Sequence, residues 1–243
     1  VYGLDLFSGI GGITKALEGY VTPVAYCEND RYAQAVLLSR MATGDLPLAP
    51  IWDDVTTLRG TYIPRVDIIY GGFPCQDISV AGRGAGLEGK RSGLFFEIAR
   101  LIGEIRPRFV FLENVSAITV RGAERVVGEL CRLRYDCRWG ILSAADVGAQ
   151  HRRDRWWLLG HAERKGWEGF KQDKSIPGGQ RKAFPVISNH SSHKWTGMDE
   201  RGFPVRERNG VRVFMDRNRI HSLGNSVVPA QAREAFERLM GLK

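Results

Sequence analysis

The chain has 243 residues, enough for one large domain or one domain with a small insert, and at 43% hydrophobic it can bury an ordinary core. Its net charge is +8, and the whole excess falls in residues 152–221, which hold 16 Lys/Arg against 8 Asp/Glu while the remainder holds 19 of each. No apolar run approaches the ~20 residues that cross a bilayer, so a helical membrane protein is excluded.

Such a concentration of positive charge points to a polyanion-facing surface, meaning nucleic acid; the competing reading is a solvated face. No secretory leader is read before the first strand, and Val1 in place of an initiator Met is read as a processed or trimmed start. Cysteines stand at 27, 75, 131 and 137, with no CxxC pair and no His cluster. Neither a zinc site nor a disulfide framework is expected, and a reducing, cytoplasmic setting fits. Cys131 and Cys137 are expected in the core.

In chain order, Gly3 to Phe7 reads as a strand, and Ile13, Ala16, Leu17 and Tyr20 then recur at helix spacing. Pro23 to Cys27 is a second strand. Asp30 can cap a helix carrying Tyr32, Ala33, Val36, Leu37 and Met41. Val66 to Tyr70 is a buried strand. Leu94, Phe95, Ile98, Leu101 and Ile102 share one helix face, which Pro107 ends. Phe109 to Leu112 is a strand, Val126, Val127, Leu130 and Leu133 mark a helix, and Trp156 to Leu159 a late strand. This β-α-β-α order predicts a doubly wound, mostly parallel α/β sheet. Residues 161–210 turn rich in Gly, Lys, Arg, Ser and Trp with weak periodicity, which reads as a small second domain or insert. Disorder is an open reading for part of 164–182. Pro229 can open a last helix with Ala232, Ala235, Phe236 and Met240 on its face.

Ligands of such sheets sit at the carboxyl ends of strands, where Phe7, Glu28, Cys75 and Glu113 all fall. Gly9, Gly11 and Gly12 permit a tight turn after the first strand. The dinucleotide pattern G-x-G-x-x-G is incomplete, because its last place is Thr14. Glu28 can accept hydrogen bonds from ribose hydroxyls. That arrangement serves nicotinamide and S-adenosylmethionine (AdoMet) folds alike. Pro74-Cys75-Gln76 follows a strand and Gly71-Gly72, and it opens the Gly-rich stretch 77–93, which suits a nucleophile under a closing loop. Glu113-Asn114-Val115 ends a neighbouring strand and can set an acid beside the thiol.

From Asp5 to Pro229, these motifs resemble, in order, the DNA (cytosine-5) methyltransferases of compact bacterial or phage type. The resemblance implies a Rossmann-like AdoMet-dependent sheet over 1–160, a small irregular target-recognition region over 161–214, and a segment 215–243 returning to the catalytic domain. It implies AdoMet as cofactor, S-adenosyl-L-homocysteine (AdoHcy) as product, double-stranded DNA as partner, no metal, no membrane, and a monomer. Phe7, Gly9, Gly11, Glu28, Asp54, Pro74, Leu94, Asn225 and Ser226 would bind the cofactor. Cys75 would add to C6 of a flipped cytosine, and Glu113 would protonate N3 with its pKa raised by burial. A free Cys has a pKa of about 8.5, so the thiolate must be favoured locally.

Gly148 to Arg155 resembles the family's Gln-x-Arg-x-Arg element with a departure. Anchored on the last arginines, Arg153 and Arg155 take the arginine places and His151 the glutamine place; anchored on Gln150, Arg152 and Asp154 do. The first register is preferred because Trp156 and Trp157 then begin the next strand. Arg155 would meet cytosine O2, and Arg153 a loop or phosphate. Arg83 and Arg91 of the glycine-rich loop, and Arg201, Arg206, Arg208 and Arg212 of the short recognition region, would contact DNA and read a site of only a few base pairs. A tRNA cytosine-5 methyltransferase, a non-catalytic DNA-binding relative and, more distantly, a nicotinamide dehydrogenase are the alternatives.

Overall fold

Two glycine-containing strands, β1 (Tyr2–Leu6) and β4 (Ile68–Gly72), lie side by side at the centre of a seven-stranded sheet of order β3-β2-β1-β4-β5-β7-β6. The remaining strands are β2 (Thr22–Cys27), β3 (Ile51–Trp52), β5 (Phe109–Val115), β6 (Tyr135–Ser143) and β7 (Asp154–Ala162). Helices α1 (Gly12–Ala16), α2 (Arg31–Ala42), α3 (Leu94–Ile105), α4 (Ala123–Arg132) and α5 (Pro229–Met240) complete the unit. The structure, a computed structural model, describes residues 1–74, 93–162, 195–198, 204–208, 211–214 and 225–242.

Strands β3, β2, β1, β4 and β5 run parallel, and β7 enters antiparallel between β5 and β6. The chain winds from β1 outward to β3 and then returns to β4 on the other side. The β1/β4 boundary is therefore the switch point of a doubly wound sheet, and its crevice opens at the carboxyl ends of the strands.

Strand residues alternate between two apolar layers, as a pleated strand requires. Leu4, Leu6, Ile69, Val110, Leu112 and Leu158 face α3 and α4 through Phe95, Ile98, Ile102, Val126 and Leu130. Ile68, Tyr70, Phe109, Phe111, Trp157 and Leu159 face α1 and α5 through Ile13, Leu17, Ala232 and Phe236. Asp30 caps α2 as expected, accepting from Ala33 N at 2.8 Å. Helix α3 ends at Arg106, in the left-handed region at φ 54, directly before Pro107.

Several sequence expectations are corrected. Helix α1 stops at Ala16, and the chain turns through Gly19 at φ 86. Tyr20 then lies against α5, donating to Glu237 Oε1 at 2.9 Å. Cys131 is exposed at the end of α4, and Cys137 is half-buried on the edge strand β6, so neither is a core residue. Strand β7 continues to Ala162, past the late strand read over Trp156 to Leu159. Within the segment read as irregular, β8 (Trp195–Met198), β9 (Pro204–Arg208) and β10 (Val211–Phe214) pair into a separate antiparallel sheet of three strands. No helix among the described residues is long and apolar enough to cross a membrane.

Candidate active site

The turn after β1 is fixed by its own hydrogen bonds. Ser8 N and Cys27 O lie 3.1 Å apart, Ser8 Oγ donates to Asp5 O at 3.0 Å, and Gly11 N donates to Ser8 O at 2.8 Å. Phe7, Gly9 and Gly11 all have positive φ, at 54, 53 and 82. Two of these three are glycines, the residues that adopt this region without penalty. Arg40 of α2 braces the turn by donating to Ile10 O.

Glu28, at the end of β2, closes the same turn. Its Oε2 accepts from Gly9 N at 2.7 Å and its Oε1 from Asp30 N at 2.8 Å. Each oxygen keeps a lone pair for a further donor. Among the described residues, a Cβ placed on Gly9 would meet nothing within 4 Å, which leaves room for close approach beside Glu28. A close-approach turn, a carboxylate on its rim and the half-buried Phe7 fit a nucleoside-bearing cofactor such as AdoMet.

Beneath the turn lies a buried polar cluster that sequence reading missed. Thr14 Oγ1 donates to Asp5 Oδ2 at 2.6 Å and shares a 2.8 Å hydrogen bond with Tyr70 Oη. Burial lifts the Asp5 carboxyl to about 8, against the opposing Thr14 hydrogen bond. A carboxylate one residue before the strand's last apolar position was the available signal.

A second group of side chains stands at the ends of β4, β5 and β7. Glu113 lies opposite Gly72 on β4 and Trp157 on β7. Its Oε1 is 2.7 Å from Arg155 Nε, and both side chains are 15% exposed. Burial pushes the Glu113 carboxyl above the ordinary range, and the Arg155 and Arg153 guanidiniums pull it back only in part. Burial likewise holds the Arg153 guanidinium below its usual value, with Arg155 adding to the effect. Arg152 instead points outward at 83% exposure and pairs with Asp154 at 3.0 Å.

Asn114 is buried and donates from Nδ2 to Phe73 O at 3.2 Å. The end of β5 thereby holds the segment that leads through Pro74 to Cys75. Gly71 and Gly72 have different steric duties here. A Cβ on Gly71 would fall 1.9 Å from Leu6 O, so β1 and β4 approach only over a bare backbone. A Cβ on Gly72 would fall 2.6 Å from Glu113 Oε2, so that glycine leaves the slot which the carboxylate occupies.

Of the residues expected at the site, the structure joins Gly9 with Glu28, and Glu113 with Arg155. Arg153 donates from Nη2 to Ser226 O at 3.0 Å, and Asn225 precedes it in the returning segment. Leu94 and Phe7 pack against one apolar cluster, and Pro74 is half-buried beside it in sequence. Asp54 spends its Oδ1 on Thr56 N and Oγ1 at 2.9 and 2.8 Å, which holds its carboxyl below the ordinary range. Cys75, Arg83, Arg91 and Arg201 lie outside the described residues. Arg206 and Arg208 lie on β9 and Arg212 on β10, where Arg212 is in register with Glu207. Among the described residues no group of three or more His, Cys, Asp or Glu side chains could hold a metal ion.

A glycine turn with a rim carboxylate at the switch point, and a buried acid–guanidinium pair at the ends of β5 and β7, define a class: doubly wound α/β folds whose polar groups gather at the carboxyl ends of the strands. Residues 1–210 match the family described as C-5 cytosine-specific DNA methylase, and the chain belongs to that family. It is 33% identical over 238 residues to the type II methyltransferase M.CviJI of Paramecium bursaria Chlorella virus IL3A, covering 97% of this chain and 58% of that one. Against M.HhaI of Haemophilus parahaemolyticus it is 36% identical over 161 residues, covering 64% and 47%. The chain thus spans about half the length of such relatives. Its fold is similar to that of Spodoptera frugiperda DNMT2, with a TM-score of 0.57 at 20% identity over 71% of this chain and 53% of that one. A putative DNA modification methyltransferase from an E. coli prophage gives a TM-score of 0.55 at 24% identity, covering 67% and 47%.

Proposed function

We propose that this chain transfers a methyl group from AdoMet to C5 of a cytosine flipped out of double-stranded DNA, through a covalent adduct between Cys75 and C6. The observation that carries the reading is the Glu113–Arg155 pair, set one strand from the segment that enters Cys75. In this reading the turn at Gly9, Gly11 and Glu28 holds the cofactor. Phe7, Asp54, Pro74, Leu94, Asn225 and Ser226 line its place. When bound, AdoMet supplies the electrophilic methyl that C5 takes up.

The chain's own groups supply the rest. The Cys75 thiolate adds to C6, which breaks the ring's aromaticity and sends electron density towards C5. Glu113 delivers a proton to N3 and so quenches the charge that develops in the ring. A carboxyl with its pKa raised by burial is suited to hold that proton. Arg155 orients Glu113 through its Nε and has Nη2 donors left for cytosine O2. Loss of the C5 proton, departure of the Cys75 sulfur as thiolate and return of the N3 proton to the Glu113 carboxylate restore the neutral aromatic ring. Residues 161–214 read a short DNA site, and residues 215–243 return to the catalytic domain. The protein acts as a monomer in the cytoplasm.

The test is methyl transfer from tritiated AdoMet to unmethylated plasmid and to matched tRNA, with bisulfite mapping of the product. Label in DNA at a consensus of a few base pairs is expected, with no transfer by Cys75→Ala. Duplex carrying 5-fluorocytosine should leave an adduct on Cys75. Label confined to tRNA, or a consensus of six or more fixed bases, would overturn the substrate assigned here. Full transfer by Cys75→Ala would overturn the nucleophile.

A further inference from the structure

Residues 225–242 meet the sheet in two places. Val227 closes on the cofactor-side turn: a Cβ on Gly12 would lie 3.1 Å from Val227 Cγ2 and 3.3 Å from its carbonyl oxygen. Just beyond, the first turn of α5 places Gln231 under the ends of β6 and β7. This side chain is fully buried, and its Nε2 donates to Leu142 O at 2.7 Å and to Arg153 O at 2.8 Å. Rotating the amide would turn its oxygen against both carbonyls, so the hydrogen bonds settle its orientation.

Gln231 is a poor choice for packing alone. Its Oε1 is buried and finds no donor among the described residues. Methionine would fill a similar volume on the same helix face, beside Ala232 and Ala235, and would bring no amide oxygen to bury unmatched. What the amide adds is a fixed position for the Arg153 backbone. Arg153 stands where the β6–β7 hairpin opens, past the last registered pair Ser143 and Asp154. Its carbonyl also accepts from Ala144 N at 3.1 Å, and its guanidinium returns to Ser226 O at 3.0 Å. The contacts form a continuous path from Gly12 through Val227, Ser226 and Arg153 to Gln231. Two residues beyond Arg153, Arg155 holds Glu113.

We infer that Gln231 is a positioning residue which, through the Arg153 carbonyl, couples occupancy of the cofactor turn to the placement of Arg155 and Glu113. The inference rests on the function proposed above. Its consequence is that cofactor and DNA bind cooperatively, and that the cooperativity runs through this amide.

The test compares DNA affinity with and without AdoHcy in the wild-type chain and in Gln231→Met. AdoHcy should tighten DNA binding by at least about fivefold in the wild-type chain, within the usual range of coupling between two sites. In Gln231→Met the ratio should fall towards one, while the affinity for AdoHcy alone stays close to wild type. A purely structural role would weaken both ligands together or leave the ratio intact. Hydrogen exchange on the unsubstituted chain gives an arm free of folding risk: AdoHcy without DNA should protect amides at 153–157 as well as at 7–14. Wild-type coupling in Gln231→Met, no tightening in the wild-type chain, or protection confined to 7–14 would each overturn the inference. A wild-type chain that methylates DNA while failing these tests sinks this inference alone. One that binds no AdoHcy and transfers no methyl sinks the proposed function with it.

Discussion

Glu113 and Gly72 are coupled by a single distance, the 2.6 Å that would separate Glu113 Oε2 from a Cβ on Gly72. That contact lies well inside van der Waals range, so in Gly72→Ala the carboxylate must leave its place. A displacement on the ångström scale at a reacting group costs up to about 100-fold in rate. Gly72→Ala should therefore lose at least tenfold in single-turnover methyl transfer, on the order of that cost, while AdoHcy affinity holds. The shorter Glu113→Asp should recover part of the loss in the Gly72→Ala background, yet lose activity on its own. Additive losses in the double variant would mean that the glycine and the acid act separately. As the general acid of the proposed function, Glu113 should also set a pH limit. Burial raises its pKa, so it stays protonated to higher pH than an exposed glutamate, and transfer should decline as pH rises through the raised value. Glu113→Gln should lose about 10²- to 10⁴-fold in rate, the usual share of a general acid. Its residual activity should lack the alkaline decline. A Glu113→Gln variant with the wild-type pH profile would remove Glu113 from the proton's path.

At the scale of elements, the β1 turn is supported from below by a carboxyl whose protonated form is favoured by burial. Asp5 is 1% exposed, and burial raises its pKa to about 8 from an ordinary carboxylate value. The folded state therefore binds this proton more tightly than the unfolded chain does. The stabilisation is fully present below about pH 4, declines as pH rises through the interval, and is lost above about 8. Asp5→Asn keeps an oxygen for the Thr14 hydroxyl and removes the titration. Melting followed from pH 5 to 9 should show the wild-type chain losing several degrees more than Asp5→Asn. Parallel curves would show that Asp5 is already ionised in the folded chain, with Thr14 and its neighbours satisfying the charge. Thr14 itself stands where a dinucleotide fold has its third glycine. Its hydroxyl instead bridges β1 and β4 across the switch point through Asp5 and Tyr70.

For the molecule as a whole, the strands legible in the sequence are those buried on both faces, where apolar runs are continuous: β1, β2, β4, β5 and β7. Strand β6 escaped because it is an edge strand, with Trp139 and Ile141 each 51% exposed and Asp136 and Arg138 between apolar residues. Strand β3 has two residues and no period to detect. Glu113, Arg155 and Glu28 were legible because their neighbours in sequence carry them. The slot at Gly72 and the bridge at Gln231 were not, because they exist only once distant segments are paired. The three-stranded sheet of β8 to β10 was hidden because β8 and β10 have only four residues each and Arg206, Glu207 and Arg208 leave β9 without apolar alternation. Its charge is the basis of the last prediction. The surplus of +8 is confined to residues 152–221, so DNA affinity should depend steeply on salt, with the larger share of the slope carried by this segment. Each phosphate contact contributes about 0.9 to the slope of log affinity against log salt. Replacing Arg206, Arg208 and Arg212 together by Gln should reduce the slope by up to about 2.7 if all three meet phosphates. If some of them read guanines, the slope should fall less, and bisulfite mapping should show a relaxed consensus at the affected positions. An unchanged slope together with an unchanged consensus would place the DNA elsewhere on the protein.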